Sequence, residues 1–156
     1  MVQQAHEKMV VGALEQADLP ELRISYLNMR VDTGAKTSSL HVDNIQLEEI
    51  EGVKWVSFDI HPDMHDVARV VRRSSKLKQT RTIKSSNGER EQRYVIDTQL
   101  CMGNQTWSIE VTLTDRSGMT YLMLLGREAM KGRLLVDPDK EYLLGKNEQT
   151  SELNKD

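Results

Sequence analysis

The sequence predicts a mainly β domain with one short helix, and three observations lead to this expectation. Apolar residues recur at every second position in several segments, so that Val56, Phe58 and Ile60 alternate with polar residues. Turn-forming residues interrupt these segments roughly every ten residues. The chain of 156 residues is long enough for one domain and short for two.

Turn residues predict two hairpins. Gly103-Asn104-Gln105 separates two alternating segments and is expected to join them as antiparallel strands. A second tip is expected at Ser86-Asn87-Gly88, where 81–84 and 90–96 can pair on either side. Asn and Gly favour such tips because both tolerate the positive φ of tight turns.

The predicted helix covers 127–131 and follows the apolar segment Leu124-Leu125-Gly126. Gly132 is expected to end it, and 134–136 resumes as a strand before Asp137-Pro138.

Polarity sets the expected limits of the domain. The sequence predicts a flexible N-terminus at 1–10, one domain at 11–145 and a disordered tail at 146–156, because the tail has one apolar residue among eleven. Nothing resembles a secretory signal or a membrane span. Cys101 has no second cysteine to pair with, so a buried, inert thiol and a reducing cytoplasm are expected.

The charge distribution is uneven. The net charge is -3, yet the stretch 67–88 holds seven basic residues and no acidic one. The basic residues are Arg69, Arg72, Arg73, Lys76, Lys78, Arg81 and Lys84. Three readings stay open: a solvated loop, which we favour, a nucleic-acid patch, or a cleft wall that receives acidic substrate. The absence of interleaved aromatic residues and the pI near 5.8 argue against a nucleic-acid partner.

The segment Val31-Asp32-Thr33-Gly34-Ala35 is the strongest candidate for chemistry. A carboxylate that acts as a general base needs a fixed position. The Thr33 hydroxyl can lock the loop, and Gly34 permits a sharp turn and a close backbone approach. The alternative is that Asp32 merely opens a turn after a strand.

One such carboxylate is insufficient for this chemistry, because peptide hydrolysis by this route needs two close carboxyl groups that share one proton. The chain has one Asp-Thr-Gly, and Asp97-Thr98-Gln99 lacks the glycine. The second carboxyl is therefore expected from the second subunit of a homodimer.

Together with the downstream Leu124-Leu125-Gly126-Arg127, the Asp-Thr-Gly-Ala segment resembles the retroviral-type aspartic proteases. The longer string at 31–41, Val-Asp-Thr-Gly-Ala-Lys-Thr-Ser-Ser-Leu-His, resembles more closely the bacterial retropepsin-like proteins known as ATP-dependent zinc proteases. The resemblance covers roughly 11–144 and implies a closed or partly closed β-barrel of the acid-protease type.

The resemblance also implies a set of site residues. Asp32, Thr33 and Gly34 are the expected catalytic residues, supported by Leu125, Gly126 and Arg127. Ala35, Lys36, Arg72, Arg73, Asn87, Gly88 and Arg93 are the expected substrate-binding residues. A flap hairpin is expected within 82–93, and its basic character favours an acidic ligand. Some relatives of this kind are associated with ligases that add glutamate, so acidic or glutamylated peptides are the expected substrates.

No cofactor is expected. The chain lacks a glycine-rich loop that ends in Gly-Lys-Ser or Gly-Lys-Thr, which argues against ATP binding. Pro62 interrupts His61-Pro62-Asp63-Met64-His65, so this segment is not the helical His-Glu-x-x-His of zinc proteases. His41 could reach the cleft if the chain doubles back, but a structural hydrogen bond is favoured.

The alternative function is a catalytically silent module that binds peptide as an added strand beneath the flap. Lys36 supports this alternative, because a nearby cation favours ionisation of both carboxyl groups.

Overall fold

The computed structural model describes residues 7–62, 68–84, 87–115 and 121–146 together with 152–153. The strands are β1 (Met9–Val11), β2 (Leu14–Leu19), β3 (Ile24–Val31), β4 (Ser38–His41), β5 (Asp43–Ile50), β6 (Val53–Ile60), β7 (Val71–Lys76), β8 (Gln79–Lys84), β9 (Arg90–Met102), β10 (Gln105–Thr114), β11 (Met123–Leu125), β12 (Leu134–Val136) and β13 (Glu152–Leu153). A 3-10 helix spans Pro20–Leu22, and α1 spans Arg127–Met130.

Six strands form a closed barrel in the order β10-β4-β11-β3-β2-β9, and the β9–β10 hairpin closes the ring. Strand β8 extends the sheet from β9, and β13 pairs with β3. A second sheet has the order β5-β6-β7, and β1 and β12 form a parallel pair. The predicted mainly β barrel with one short α-helix is confirmed.

Both predicted hairpins form. The β9–β10 turn consists of Gly103 and Asn104, and Gln105 already pairs with Met102, one residue earlier than expected. Strand β8 pairs with β9 up to Lys84 and Arg90. Residues 85–86, which include Ser86 of the second tip, lie outside the described residues, as do 1–6 and most of the expected tail. The predicted domain limits stay predictions.

The barrel core is largely aliphatic, and β6 adds Phe58 between the buried Val56 and Ile60. Ser57 is one of the polar residues that alternate with these apolar ones, yet it is buried too. The Arg72 guanidinium covers it and donates to its hydroxyl oxygen at 3.0 Å. The alternation within β6 cannot predict this burial, because the Arg72 side chain comes from the neighbouring strand β7.

The fully buried Glu15 fastens the C-terminal segment to the barrel. Its Oε2 accepts hydrogen bonds from the backbone N–H groups of Gly12 and Leu143, both at 2.8 Å. Its Oε1 accepts one from Leu144 N–H at 3.2 Å. Three backbone donors therefore satisfy a carboxylate that would otherwise be costly to bury.

Cys101 is only partly buried, whereas a buried thiol was expected. It lines a shallow pocket with Asp18 and Tyr26, where β2 meets β9 at a single pair of residues. No helix in the described part of the chain is long and apolar enough to cross a bilayer.

Candidate active site

The Asp32 loop connects two strands that are not neighbours in the barrel. Strand β3 ends at Val31 and β4 begins at Ser38, while β11 lies between them, parallel to β3 and antiparallel to β4. Asp32 N–H donates to Leu125 O at 2.9 Å, and Val31 N–H donates to Ala13 O at 2.8 Å. The base of the loop is thus fixed to β11 on one side and to the start of β2 on the other.

The two oxygens of the Asp32 carboxylate have different surroundings. Oδ1 accepts a hydrogen bond from Gly34 N–H at 2.9 Å, whereas no residue in the described ranges donates to Oδ2. A Cβ atom at position 34 would lie 3.1 Å from Oδ1. Glycine therefore suits this position because the Asp32 carboxylate lies so close to it. Backbone conformation is not the reason, since Gly34 is not among the residues with positive φ.

The start of α1 holds the rest of the loop. Arg127 N–H donates to Ala35 O at 2.8 Å, and Glu128 N–H donates to Lys36 O at 3.0 Å. The Arg127 side chain reaches further and donates from Nη1 to Thr33 O at 2.9 Å. Asp32, Thr33, Gly34 and Ala35 are thus brought together with Leu125, Gly126 and Arg127 in one structural unit.

Ser38 is a residue of this unit to which the sequence assigned no role. Its buried hydroxyl accepts a hydrogen bond from Gly126 N–H at 3.0 Å, and its carbonyl accepts one from Thr112 Oγ1 at 3.1 Å. It therefore connects β4 with the turn after β11 and with β10. The sequence does not reveal this role, because the partners of Ser38 lie on strands that are distant in the chain.

Gly126 lies against the backbone of Thr37. A Cβ atom at position 126 would lie 2.5 Å from the Thr37 carbonyl carbon and 2.6 Å from its oxygen. Because these are backbone atoms, no side-chain rotation relieves the contact. Glycine is required here for close packing of two backbones.

We expect Gly126→Ala to lower the free energy of unfolding by about 2 kcal/mol, because the Thr37 backbone must shift. The matched control is Gly132→Ala, at which a Cβ meets nothing within 4 Å and only the φ of +74° is unfavourable. Denaturant titration gives the stability, and amide hydrogen exchange reports on the loop. If Gly132→Ala also speeds up exchange in the Asp32 loop, the effect of Gly126→Ala does not come from its contact with the Thr37 backbone.

A cleft of about 1060 Å³ opens beside this unit. Its walls come from the loop, the strands β8 and β10, and α1. The lining residues are Lys36, Thr37, Ser38, Arg81, Thr82, Ile83, Trp107, Ser108, Ile109, Glu110, Glu128, Ala129, Lys131 and Arg133. Trp107 is fixed within it, because its Nε1 donates to Ala129 O at 3.0 Å and the Arg133 guanidinium lies 5.3 Å above its ring.

Glu110 carries charge on the cleft wall and is paired within the chain. Lys78 Nζ lies 2.7 Å from Glu110 Oε2, and Arg81 Nη2 lies 3.1 Å from Oε1. Lys78 also contacts Asp97 at 3.1 Å. The hydrogen bond from Lys78, with a smaller effect of Arg81, lowers the pKa of Glu110, and the same carboxylates raise the pKa of Lys78.

We expect Lys78→Met to move the Glu110 pKa upward, toward its ordinary value, in a carbon-13 NMR titration. Since the folded pKa of Glu110 is the lower one, its pairing stabilises the fold above the unfolded pKa and ceases to do so as the pH falls through the folded value. For Lys78 the folded pKa is the higher one, so its contribution to stability is lost as the pH rises through the folded value. Lys84→Met is the control, and an unchanged Glu110 titration would contradict this prediction.

The other predicted substrate-binding residues lie elsewhere. Arg72 and Arg73 belong to β7, where Arg72 pairs with Asp59 at 2.8 Å and Arg73 Nε donates to Leu22 O at 2.7 Å. Arg93 lies on β9 opposite Arg81.

Asn87 and Gly88 lie between β8 and β9, at the tip of the predicted flap. Of the seven predicted substrate-binding residues, Lys36 lines the cleft within the described ranges, and the substrate-binding assignment of all seven stays a prediction. His41 is buried in β4 and donates its backbone N–H to Leu122 O.

The described residues contain no group of three His, Cys, Asp or Glu side chains that could hold a metal ion. His61 Nε2 lies 2.8 Å from Asp43 Oδ2, while His65 lies outside the described ranges.

Comparison with curated proteins finds relatives that are much longer than this chain. A probable alpha-L-glutamate ligase from Parasynechococcus marenigrum and one from Shewanella pealeana are each 46% identical over 138 residues. The match covers 88% of this chain and 30% of each relative. The chain thus spans about 30% of the length of the curated relatives that it matches.

Among solved structures, the chain is similar to a crystal structure of a protein of unknown function from Legionella pneumophila. The TM-score is 0.74 at 27% identity, and the match covers 88% of this chain and 99% of that one. The family described as RimB-like, retropepsin-like aspartic endopeptidase RimB, matches residues 10–147, which contain the Asp32 loop, the cleft and the barrel. This chain therefore belongs to the RimB-like family of retropepsin-like aspartic endopeptidases.

Proposed function

We propose that this protein is an aspartic peptidase whose active site forms between two copies of the chain, with acidic or glutamylated peptides as substrates. The observation that carries the proposal is the asymmetric carboxylate of Asp32. Oδ1 is held by Gly34 N–H, while Oδ2 has no donor among the described residues. A carboxylate fixed through one oxygen offers the other to a proton, a water molecule or a second carboxyl group.

Two such carboxyl groups at a two-fold axis share one proton, because like charges at close range do not both ionise. The ionised Asp32 accepts a proton from water as the water oxygen bonds to the carbonyl carbon, and the protonated one donates to the carbonyl oxygen of the substrate. The tetrahedral intermediate then breaks its C–N bond as one carboxyl group donates a proton to the leaving nitrogen. The other carboxylate accepts a proton from a hydroxyl of the intermediate, so the pair again shares one proton. Thr33 and Gly34 shape the loop, and Leu125 and Gly126 support it from behind.

The parallel pair of β1 and β12 provides a candidate surface for the second copy. Val10 and Leu135 are opposite each other in this pair, and they are 49% and 52% exposed. Parallel strands usually have both faces covered, so an exposed apolar pair on them is unusual. The surface is close to the loop, because the Ala13 carbonyl that follows β1 accepts the Val31 N–H before Asp32.

The charge of the cleft supports acidic substrates. Its lining has four basic residues, Lys36, Arg81, Lys131 and Arg133, and two acidic ones, Glu110 and Glu128. Within the described ranges the Lys36 ammonium has no carboxylate partner, so it is available to a substrate carboxylate. The relatives' names point in the same direction, since a ligase that adds glutamate makes acidic peptides.

The experiment is a turnover assay on a peptide library in which half the members carry oligoglutamate tails. It is run across a wide pH range, with sedimentation of the same samples and Asp32→Asn as the control. Cleavage by a dimer that prefers the tailed peptides supports the proposal. Cleavage without that preference would reject acidic peptides as the substrate class. A dimer that binds these peptides without cleaving them would support the catalytically silent binding module.

We expect Leu135→Lys to weaken self-association at least tenfold, because it places a charge in an apolar contact that each copy repeats across the axis. Leu47→Lys is the matched control, since Leu47 is 50% exposed on the second sheet. Sedimentation equilibrium gives both dissociation constants, and activity should decline with the dimer. Equal dissociation constants for the two variants would exclude this surface as the interface.

A further inference from the structure

Two open strand edges face each other where the second sheet meets the barrel. Strand β7 is the outer strand of its sheet, and part of β9 lies opposite. The gap between them has a volume of about 470 Å³ and is separate from the cleft at the Asp32 loop. Its walls include Leu22, Trp55, Ser74, Lys76, Asp97 and Thr98.

The register of β6 and β7 shows which backbone groups of β7 point into the gap. Leu77 N–H donates to Lys54 O at 3.0 Å, so this pair is a hydrogen-bonded one. Hydrogen-bonded and non-hydrogen-bonded pairs alternate along antiparallel strands. The backbone N–H and carbonyl groups of Ser74 and Lys76 therefore point away from β6. The Lys76 carbonyl accepts the Ser75 hydroxyl at 3.2 Å, and the described residues offer no backbone partner to Ser74.

The same alternation applies to β9. On the side away from β10, β9 pairs with β8 as far as Val95 and with β2 from Cys101. Val95 O accepts Lys78 N–H there, and Gln99 N–H donates to the Glu21 side chain. Asp97 lies two residues from both Val95 and Gln99, so its backbone N–H and carbonyl point in the same direction as theirs. They therefore point into the gap, where no described backbone group pairs with them.

Among the described residues, four charged side chains line the gap, namely Glu21, Lys76, Lys78 and Asp97. Lys78 pairs with Asp97, and Glu21 accepts the Gln99 N–H, so Lys76 is the cation that remains for a ligand. The Lys76 ammonium lies 5.9 Å from the centre of the Trp55 ring, and no described carboxylate pairs with it. A carboxylate next to Lys76 would complete this arrangement.

We propose that the gap binds an extended peptide segment that carries carboxylates and adds as a strand to the free edge of β7. The backbone of Ser74 and Lys76 supplies the main-chain hydrogen bonds, while Lys76 selects an acidic side chain and Trp55 packs on the segment. The site is a second peptide-binding site and does not depend on hydrolysis at Asp32.

The test uses the full chain with Asp32→Asn, so that turnover cannot interfere. Calorimetry measures binding of acetyl-(Thr-Glu)₃-amide and of its glutamine counterpart. Ser74→Pro removes the N–H that points into the gap and spares the ladder with β6, so proline is tolerated at this edge position. We expect it to weaken binding of the acidic peptide at least tenfold, with an unchanged circular dichroism spectrum.

Lys76→Gln should abolish the preference for glutamate over glutamine, whereas the control Lys84→Gln should keep it. If Ser74→Pro fails to fold, Lys76→Gln decides, because Lys76 is exposed and its replacement leaves the backbone of β7 unchanged. Three results would overturn the proposal: no binding by the wild-type gap, binding that survives Ser74→Pro but is lost with Ile83→Asp in the cleft, or self-association that Ser74→Pro abolishes.

Discussion

Replacing Asp32 by Asn is expected to lower kcat/KM by roughly 10³-fold or more while the dimer persists. Removing a positioned general acid or base usually costs 10² to 10⁴ in rate, and in the proposed dimer both copies of the group are lost. The amide cannot share a proton or accept one from water. It keeps the shape of the carboxyl group and an oxygen for the Gly34 N–H, so stability should change little.

Mixing the two proteins distinguishes a shared site from an independent one. If each site needs two Asp32 carboxyl groups, mixed dimers are inactive and the activity of a fixed amount of wild type declines as Asp32→Asn is added. The control is the double variant Asp32→Asn with Leu135→Lys, which should associate poorly and inhibit much less. Activity that is indifferent to the added variant would show that each chain works alone.

Replacing Glu15 by Gln is expected to lower the free energy of unfolding by about 3 kcal/mol, the second largest effect. The carboxylate accepts three backbone N–H groups in a fully buried position, from Gly12, Leu143 and Leu144. Gln has one acceptor oxygen, so its NH₂ group must face at least one N–H donor. Hydrogen bonds to a charged group contribute about 1.5–3 kcal/mol each, and a buried donor left without a partner adds its own cost.

Urea titration of both proteins gives the difference, with Glu141→Gln as the matched control. Glu141 is exposed and lies in the same segment, so its replacement should change stability by less than about 0.5 kcal/mol. Hydrogen exchange should further show that the amides of Leu143 and Leu144 lose protection first. A stability loss of the same size in both variants would mean that Glu15 does not fasten the segment.

The sequence predicted those parts of the fold that depend on local patterns. The hairpin at Gly103 and Asn104 follows from turn chemistry and the flanking alternation, and α1 follows from an apolar strand that ends in glycine. The family resemblance added the barrel and brought Asp32 together with Gly126, which are distant in the chain.

The remaining features depend on pairings between distant strands. Ser38 lies in the string 31–41 that the sequence marked, but the roles of Ser38 and Glu15 come from partners at Gly126 and Leu143, which no local pattern connects to them. The basic stretch reads as free charge in the sequence. In the fold, Arg72 pairs with Asp59 and Lys78 with Glu110, and these acidic partners come from other strands.

The position of β11 between β3 and β4 determines when the Asp32 loop can become ordered. The hydrogen bond from Arg127 to Thr33 joins residues 94 positions apart, and that from Gly126 to Ser38 spans 88. Contacts of such long sequence separation form slowly, because the intervening chain must close first. During synthesis the loop stays without its support until β11 and α1 have left the ribosome. An incomplete chain therefore carries the Asp-Thr-Gly segment without the contacts from Gly126 and Arg127 that hold its loop in place.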